Sequence, residues 1–384
     1  MLYEFFPLML KYKKLFLAKS NETLLEMKKK KLYRNFIIDK FSFLLPYELS
    51  WNDIDGNNFS FIHELFNLLE RNYVEDFYSF LRFNYIHECI RFAISGPKWG
   101  MCFNLGLRFT RTRKLSGFIS SNFRKIVTNN QILFCSEINF LCLEKKLRKK
   151  FFVQVLIREI SRRLNCLGIV TAIYTTGLPF LKPLLIKNYF YFILNSSPEN
   201  CSKKIKINEP FLQNIKSSCK WNFLKRIDKQ NIQSIIRSNG IKLISKGKKI
   251  YKHFNTEDCL YWFRFIKGFK YTFIKQDYTY TDCNTLISFY SLPCKTVKNK
   301  KPSYFYDSYF YYSIISNEPK SFLEEILDIT GKIGFDLFYI LEGNIPEKIL
   351  RELKFHKGQN SINFYILGSR LKKIETLKSG LIFF

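Results

Sequence analysis

One segment limits the folds open to this chain more than any other. From Glu137 to Asn165 it reads "EINFLCLEKKLRKKFFVQVLIREISRRLN". "INFLCL" is an apolar-rich run with the length of a buried strand. Lys145, Lys146, Arg148, Lys149 and Lys150 follow within six positions. Val153, Leu156, Ile157, Ile160 and Leu164 then recur at helical spacing and form one apolar face, with Asn165 and Gly168 suited to the helix end. This order sets the leading amides and positive dipole end of a helix beside a cationic loop, a place for an anion such as a pyrophosphate. A solvated basic loop between two core elements gives the same pattern, and no glycine-rich fingerprint accompanies this one.

The rest of the chain mixes both kinds of element. "FSFIHELFNLLERNYVEDF" places Phe61, Leu65, Leu68 and Leu69 on one helical stripe. "LGLRFTRTRKLSGFISS" reads as two strands around a polar turn at 110–114, and "GIVTAIYTTG" as a further buried strand. The polar stretch "NSSPENCSKK" from Asn195 marks a boundary or a long connection. Beyond it, "DKQNIQSIIRSNG" and "FLEEILDITGKIGFD" read as helices, and "TLISFYSLP", "SYFYDSYFYYSII" and "INFYIL" as strands. The pattern predicts an α+β chain: an N-terminal arm over 1–50 and two lobes of similar size over 51–195 and 196–384.

The 384 residues suffice for one large core or two ordinary ones. A net charge of +30 points to nucleic acid, anionic membrane surfaces or phosphate-bearing small molecules. The basic residues are spread along the chain, as compositional drift toward Lys, Asn, Ile, Phe and Tyr also produces. The ten cysteines show no CxxC pair, no secretory signal is evident, and no apolar run is long enough to span a bilayer. These features fit a soluble cytoplasmic protein with free thiols. His63, His87, His253 and His356 form no metal-ligand cluster, so no metal is expected.

"EINFLC" followed by "KKLR", "VLIREI" and "RR" resembles the acyl-CoA signature of the protein N-myristoyltransferase family. "NYVED", "RFNY" and "RKLSGFIS" upstream, and "YTTG", "KP", "SFYSLP", "GFDLF", "ELKF" and the final "SGLIFF" downstream, match in order. The resemblance implies two tandem lobes of the GNAT acyltransferase fold, related by a pseudo-twofold. It implies transfer of a myristoyl group from myristoyl-CoA, as co-substrate, to an N-terminal glycine, without a prosthetic group or metal. It gives the backbone amides of Phe140 and Leu141 the role of oxyanion donors, and the chain's own terminal carboxylate at Phe384 the role of base, with Thr175 near the glycine amine. It assigns Tyr3, Glu4, Phe5 and Phe6 to the adenine and pantetheine end of CoA. Phe140, Leu141, Cys142, Leu143, Arg148, Lys149, Lys150, Phe151, Phe152 and Val153 fall to the thioester and phosphates. Tyr73, Asp76, Phe83, Gly177, Tyr189, Ser288, Tyr309 and Ile362 match the peptide groove. A monomer acting on glycine-initiated proteins follows, with the ribosome as a conceivable partner through the lysine run at 28–31, which otherwise reads as a solvated arm.

The chain also departs from that family. Where the family's loop reads like Arg-Ser-Lys-Arg-Val-Ala-Pro, this chain has Arg148, Lys149, Lys150, Phe151, Phe152, Val153 and Gln154. A phenylalanine does not replace a guanidinium fork, so the phosphate contacts are expected to differ. Phe77 and Tyr78 follow Asp76, Gly358–Ser361 lacks the acid of the family's "GDGN", and Tyr191 stands for the histidine of "RYWH". Fewer carboxylates predict a groove that favours less basic peptides. A GNAT acetyltransferase with a shorter acyl group, or a basic aromatic-rich nucleic-acid binder, are the readings the resemblance competes with.

Overall fold

The structure is a computed structural model that describes residues 42–73, 81–97, 103–128, 131–148, 150–177, 182–195, 221–223, 248–276, 284–296, 304–314, 319–369, 371 and 373–382. Its helices are α1 (Phe59–Asn72), α2 (His87–Ile94), α3 (Phe152–Cys166), α4 (Thr256–Trp262), α5 (Pro319–Ile333) and α6 (Glu347–Glu352). The strands of the N-terminal part are β1 (Leu49–Asp53), β2 (Leu81–Phe83), β3 (Asn104–Phe109), β4 (Leu115–Thr128), β5 (Gln131–Leu143), β6 (Ala172–Thr176) and β7 (Leu185–Ile193). Those that follow are β8 (Trp221–Phe223), β9 (Ile250–His253), β10 (Lys270–Gln276), β11 (Asn284–Ser291), β12 (Cys294–Thr296), β13 (Tyr304–Phe305), β14 (Asp307–Ile314), β15 (Leu337–Leu341), β16 (His356–Leu367) and β17 (Ser379–Gly380). The class is α+β. The helix expected in "DKQNIQSIIRSNG" and the N-terminal arm up to Phe41 lie outside the described residues.

The chain forms two compact units that interleave. The first comprises Met1–Tyr73, Ile90–Ile186 and Ile362–Ile374, and the second Val74–Cys89, Lys187–Ser361 and Glu375–Phe384. The main stretches of the two units meet at Ile186 and Lys187, with two shorter segments exchanged.

In the first unit the sheet runs β1-β3-β4-β5-β6-β16. β3 and β4 form the hairpin that the polar turn implied, closed by the Phe109 amide donating to Lys114 O at 3.1 Å. Leu105, Leu107, Ile119 and Leu143 from the sheet pack with Leu156, Ile160 and Leu164 of α3, and Val153 and Ile157 lie against that cluster. This is the apolar face read from the helical period. The buried stripe of α1 is Ile62, Leu65, Leu68 and Leu69. Phe61 stands off it, with the Arg108 guanidinium 5.6 Å from its ring centroid.

In the second unit the order is β7-β15-β14-β11-β10-β8, β17 pairs with β9, and β13-β12-β2 make a small separate sheet. α5 buries Phe322, Leu323, Ile326, Ile329 and Ile333. The aromatic run read as one strand is two, because Tyr306 leaves the ladder and its amide donates to Asp336 Oδ2 at 2.8 Å.

Candidate active site

The site begins with an irregularity in β5. β4 and β5 pair antiparallel rung by rung from Thr128↔Gln131 to Ser120↔Asn139, and then Phe118 meets Cys142. Two residues of β5, Phe140 and Leu141, thus oppose one of β4, which is a β-bulge. Phe140 takes a φ of 51°, the left-handed region that an L residue occupies only at a cost. Along its other edge β5 runs parallel to β6, with register only at Ser136↔Ala172 and Glu137↔Ile173. Phe140 and Leu141 therefore lie beyond the last shared rung of β6 and inside the slip against β4. Both side chains are anchored nonetheless: Phe140 is buried and Leu141 packs on the first unit's core.

Several expected residues gather around that bulge. Tyr73, at the C-cap of α1, has its ring 5.8 Å from the Phe140 ring, and the Phe140 amide donates to its phenol oxygen. Burial holds the Tyr73 phenol far above the usual range. The Cys142 thiol is likewise pushed up, to about 12, by burial, so it stays protonated as a packed residue. Thr175 stands on β6 two residues past Ile173, opposite Phe364 of β16. The Thr176 and Gly177 carbonyls accept from the Asn363 amide at 3.2 and 3.4 Å, next to Ile362. A Cβ on Gly177 would meet nothing within 4 Å, so the backbone there borders open space.

The cationic loop is built as follows. After β5, a 3-10 turn over Lys145–Leu147 leads to Arg148, which turns back on the chain. Its Nε donates to Leu143 O at 3.2 Å and its Nη2 to Asn72 O at 2.5 Å. Lys150 is exposed, and Phe151, 63% exposed, enters α3 at a φ of 61° with no side-chain cap. The Gln154 and Val155 amides return to Phe151 O, which makes the Phe152 and Val153 amides the leading donors of α3. These amides stand at the helix end where the segment predicts an anion.

In the second unit the groove residues divide. Tyr189 and Tyr309 meet edge to face at 6.0 Å, with Tyr339 stacked on Tyr309 at 4.8 Å and Tyr290 at 5.5 Å. Ser288 is fully buried, and its hydroxyl is engaged by Thr272 Oγ1 at 3.0 Å and Tyr271 O at 3.3 Å. Phe83 lies on β2, opposite Cys294 and 6.1 Å from the Tyr85 ring. Tyr191 packs 5.3 Å from the His356 ring, so a histidine reaches this position from a different strand.

Comparison with known proteins shows the family of the chain. The family model for the N-terminal domain of myristoyl-CoA:protein N-myristoyltransferase matches residues 29–186, and that for its C-terminal domain matches residues 196–380. This chain belongs to the N-myristoyltransferase family. It is 31% identical to glycylpeptide N-tetradecanoyltransferase of Plasmodium falciparum over 356 residues, 90% of this chain and 85% of that one. It is 29% identical to glycylpeptide N-tetradecanoyltransferase 2 of Bos taurus, over 88% of this chain and 69% of the other. Its fold is similar to that of Saccharomyces cerevisiae N-myristoyltransferase with bound myristoyl-CoA, with a TM-score of 0.73 and 25% identity, covering 88% and 86% of the two chains.

Of the residues that the resemblance assigned, Tyr3, Glu4, Phe5, Phe6, Asp76, Lys149 and Phe384 lie outside the described residues. No described helix is long and apolar enough to cross a membrane. Two residues that sequence reasoning passed over stand out in the second unit. Asp307 is 4% exposed, accepts from the Cys294 thiol at 3.5 Å, and is raised to about 7 by burial. Lys187 has no exposed surface. Their signal was a single charge set within an apolar run, "YFYDSYFYY" and "PLLIKNYFYFIL".

Proposed function

We propose that this enzyme transfers a myristoyl group from myristoyl-CoA to the α-amine of an N-terminal glycine, with the oxyanion held by the Phe140 and Leu141 amides. One observation carries the reading: these two residues leave both neighbouring ladders at the β5 bulge, in a chain of this family. Attack of the amine on the thioester carbonyl forms the C–N bond and places negative charge on the carbonyl oxygen. Donors fixed by a bulge stabilise that charge without reorganising. Collapse breaks the C–S bond, and the CoA sulfur leaves as a thiolate. The amine proton passes to a general base, which leaves neutral amide as the product.

The carbonyl of the bound thioester takes the Phe140 amide in place of the Tyr73 phenol. At the far end of CoA, the Phe152 and Val153 amides and Lys150 take the phosphates. Arg148 supports the loop through Leu143 O and Asn72 O. Thr175, Gly177 and Ile362 flank the glycine, where a substrate Cβ would crowd the reacting atoms. Tyr189 and Tyr309 line the peptide groove with aromatic rather than acidic surface, which favours less basic peptides than an acidic groove would. All these groups belong to one chain, consistent with a monomer.

The test is mass spectrometry of a Gly-initiated and an otherwise identical Ala-initiated peptide after incubation with the protein and myristoyl-CoA. A tetradecanoyl mass gain on the Gly peptide alone is expected. Equal gain on both peptides, or transfer only from acetyl-CoA, overturns the proposal.

A further inference from the structure

In the proposed reaction the Phe140 amide receives the thioester carbonyl. In this structure that amide already donates to an oxygen, the phenol of Tyr73. The phenol oxygen therefore marks where an oxygen accepting from this donor sits. A buried N–H costs as much as a lost hydrogen bond whenever it has no acceptor. Tyr73 meets that need between turnovers, at the amide that must be ready for the next carbonyl.

The phenol and the bulge are positioned by the same elements of the first unit. Tyr73 ends α1, with its own amide donating to Leu69 O at 2.8 Å. Asn72, the residue before it, is tied to the loop that leaves β5. Arg148 Nη2 donates to its backbone oxygen at 2.5 Å, and the Lys145 amide to its side-chain oxygen at 3.3 Å. The Asn72 side-chain amide returns to Leu68 O at 3.0 Å. The Tyr73 ring lies 5.8 Å from the Phe140 ring, tilted by 52°. Packing alone asks only for a phenylalanine here, which would keep that ring contact and bring no hydroxyl into a place where burial holds it protonated. The hydroxyl adds an oxygen that accepts from the Phe140 amide and a hydrogen that can be donated.

We propose that Tyr73 is a third oxyanion donor for acyl transfer: the thioester oxygen enters between the Phe140 amide and the phenol, which yields that amide and turns its O–H onto the same oxygen. The inference rests on the reading of the Phe140 and Leu141 amides as oxyanion donors. It goes beyond the groove position that the resemblance gives Tyr73. The proton stays on the phenol throughout. As the amine attacks, the carbonyl π pair moves onto oxygen and the phenol's hydrogen bond strengthens; collapse returns the pair and expels the thiolate. On binding, the phenol exchanges one partner for another, so its gain falls in the transition state and not in affinity.

The test is infrared spectroscopy of myristoyl-CoA carrying a carbon-13 label at the thioester carbonyl, bound to the full chain, together with kcat for peptide transfer. The bound carbonyl stretch should fall below its value in water. Tyr73→Phe should lose part of that shift and about a hundredfold in kcat, the loss seen when one oxyanion donor is removed. Its affinity for myristoyl-CoA should stay unchanged. A ring-fluorinated tyrosine at position 73, a stronger donor of nearly the same shape, should deepen the shift; it carries the comparison should the Phe variant not fold. A shift that neither substitution changes, at an unaltered kcat, overturns the inference and leaves the amide reading standing. No shift in the unmodified protein overturns the amide reading itself, and the inference with it.

Discussion

Asp307 shows how one buried group sets a pH dependence. Burial lifts its carboxyl from 3.8 to about 7; the Cys294 thiol pulls it back and Asp336 pushes it further up. The native state therefore holds a proton that the unfolded chain releases near pH 4. Folding takes up that proton between the two values, so stability is fully present below the unfolded pKa and is lost as pH rises through about 7. Asp307→Asn, a permanently neutral mimic, should lack this slope. From about pH 4 to about pH 7.5 the unmodified protein should lose at most about 4 kcal/mol relative to the variant, at 1.36 kcal/mol per pKa unit. Urea melts of the two proteins across that range check it, and parallel curves would overturn it. The sequence displays Asp307 among tyrosines and phenylalanines, but it does not say that the side chain points inward. That depends on the pairing of β14 with β15, at Asp307↔Leu337, across thirty residues of chain.

At the scale of an element, α3 is held by more than its apolar face. Glu159 is fully buried beside Leu156 and Ile160. It accepts from Arg162 at 2.7 and 2.9 Å, from Arg163 at 2.8 Å, and from the Phe43 amide at 3.1 Å. Arg163 continues to Asp53 of β1. The helix thus fastens the chain ahead of the first unit's leading strand and at that strand's last residue. Burial alone would raise the Glu159 pKa, but the hydrogen bonds from both arginines and Phe43 outweigh it and the net shift is downward. Its stability contribution is therefore present above the unfolded pKa and lost as pH falls through the lower folded value. Glu159→Gln keeps the shape and leaves two guanidinium groups without their shared counter-charge, at a cost of about 3 kcal/mol. The urea midpoint at neutral pH should drop accordingly, and the two proteins should converge in acid, where the glutamate is itself protonated; equal midpoints at neutral pH would contradict this. The apolar period of α3 and the β3–β4 hairpin were legible because both are local. The bulge was not, because it exists only in the register of β5 against β4; here the resemblance pointed to Phe140 and Leu141 where spacing could not. The break at Tyr306 was hidden for the same reason, since Asp336 lies thirty residues away.

At the scale of the whole molecule, the α+β class and two-part build were legible in the alternation of patterns, while the interleaving was not. Ile362–Ile374 joins the first unit through rungs such as Asn363↔Thr176, which no local pattern encodes. The net charge of +30 is the other global property, and its distribution decides what it does. Spread over the surface, it repels itself in the folded state more than in the expanded chain. Salt shortens the range of that repulsion to about 10 Å at 0.1 M, while the buried Arg124–Glu137 and Arg162–Glu159 pairs are screened far less. The melting temperature should therefore rise by a few degrees between low and physiological salt. Over the same interval the affinity for myristoyl-CoA should fall if Lys150 and the α3 amides take its phosphates as proposed. Calorimetry and a CoA titration at matched salt concentrations read both. A clustered basic face built for nucleic acid would behave differently. Random RNA would bind with a steep salt slope, as several phosphate contacts demand, and would compete with myristoyl-CoA only if the two shared the α3 end. A rising melting temperature with weak, non-competing RNA binding assigns the charge to the surface as a whole. A flat melting temperature with steep RNA binding would instead assign the charge to a clustered face that binds nucleic acid.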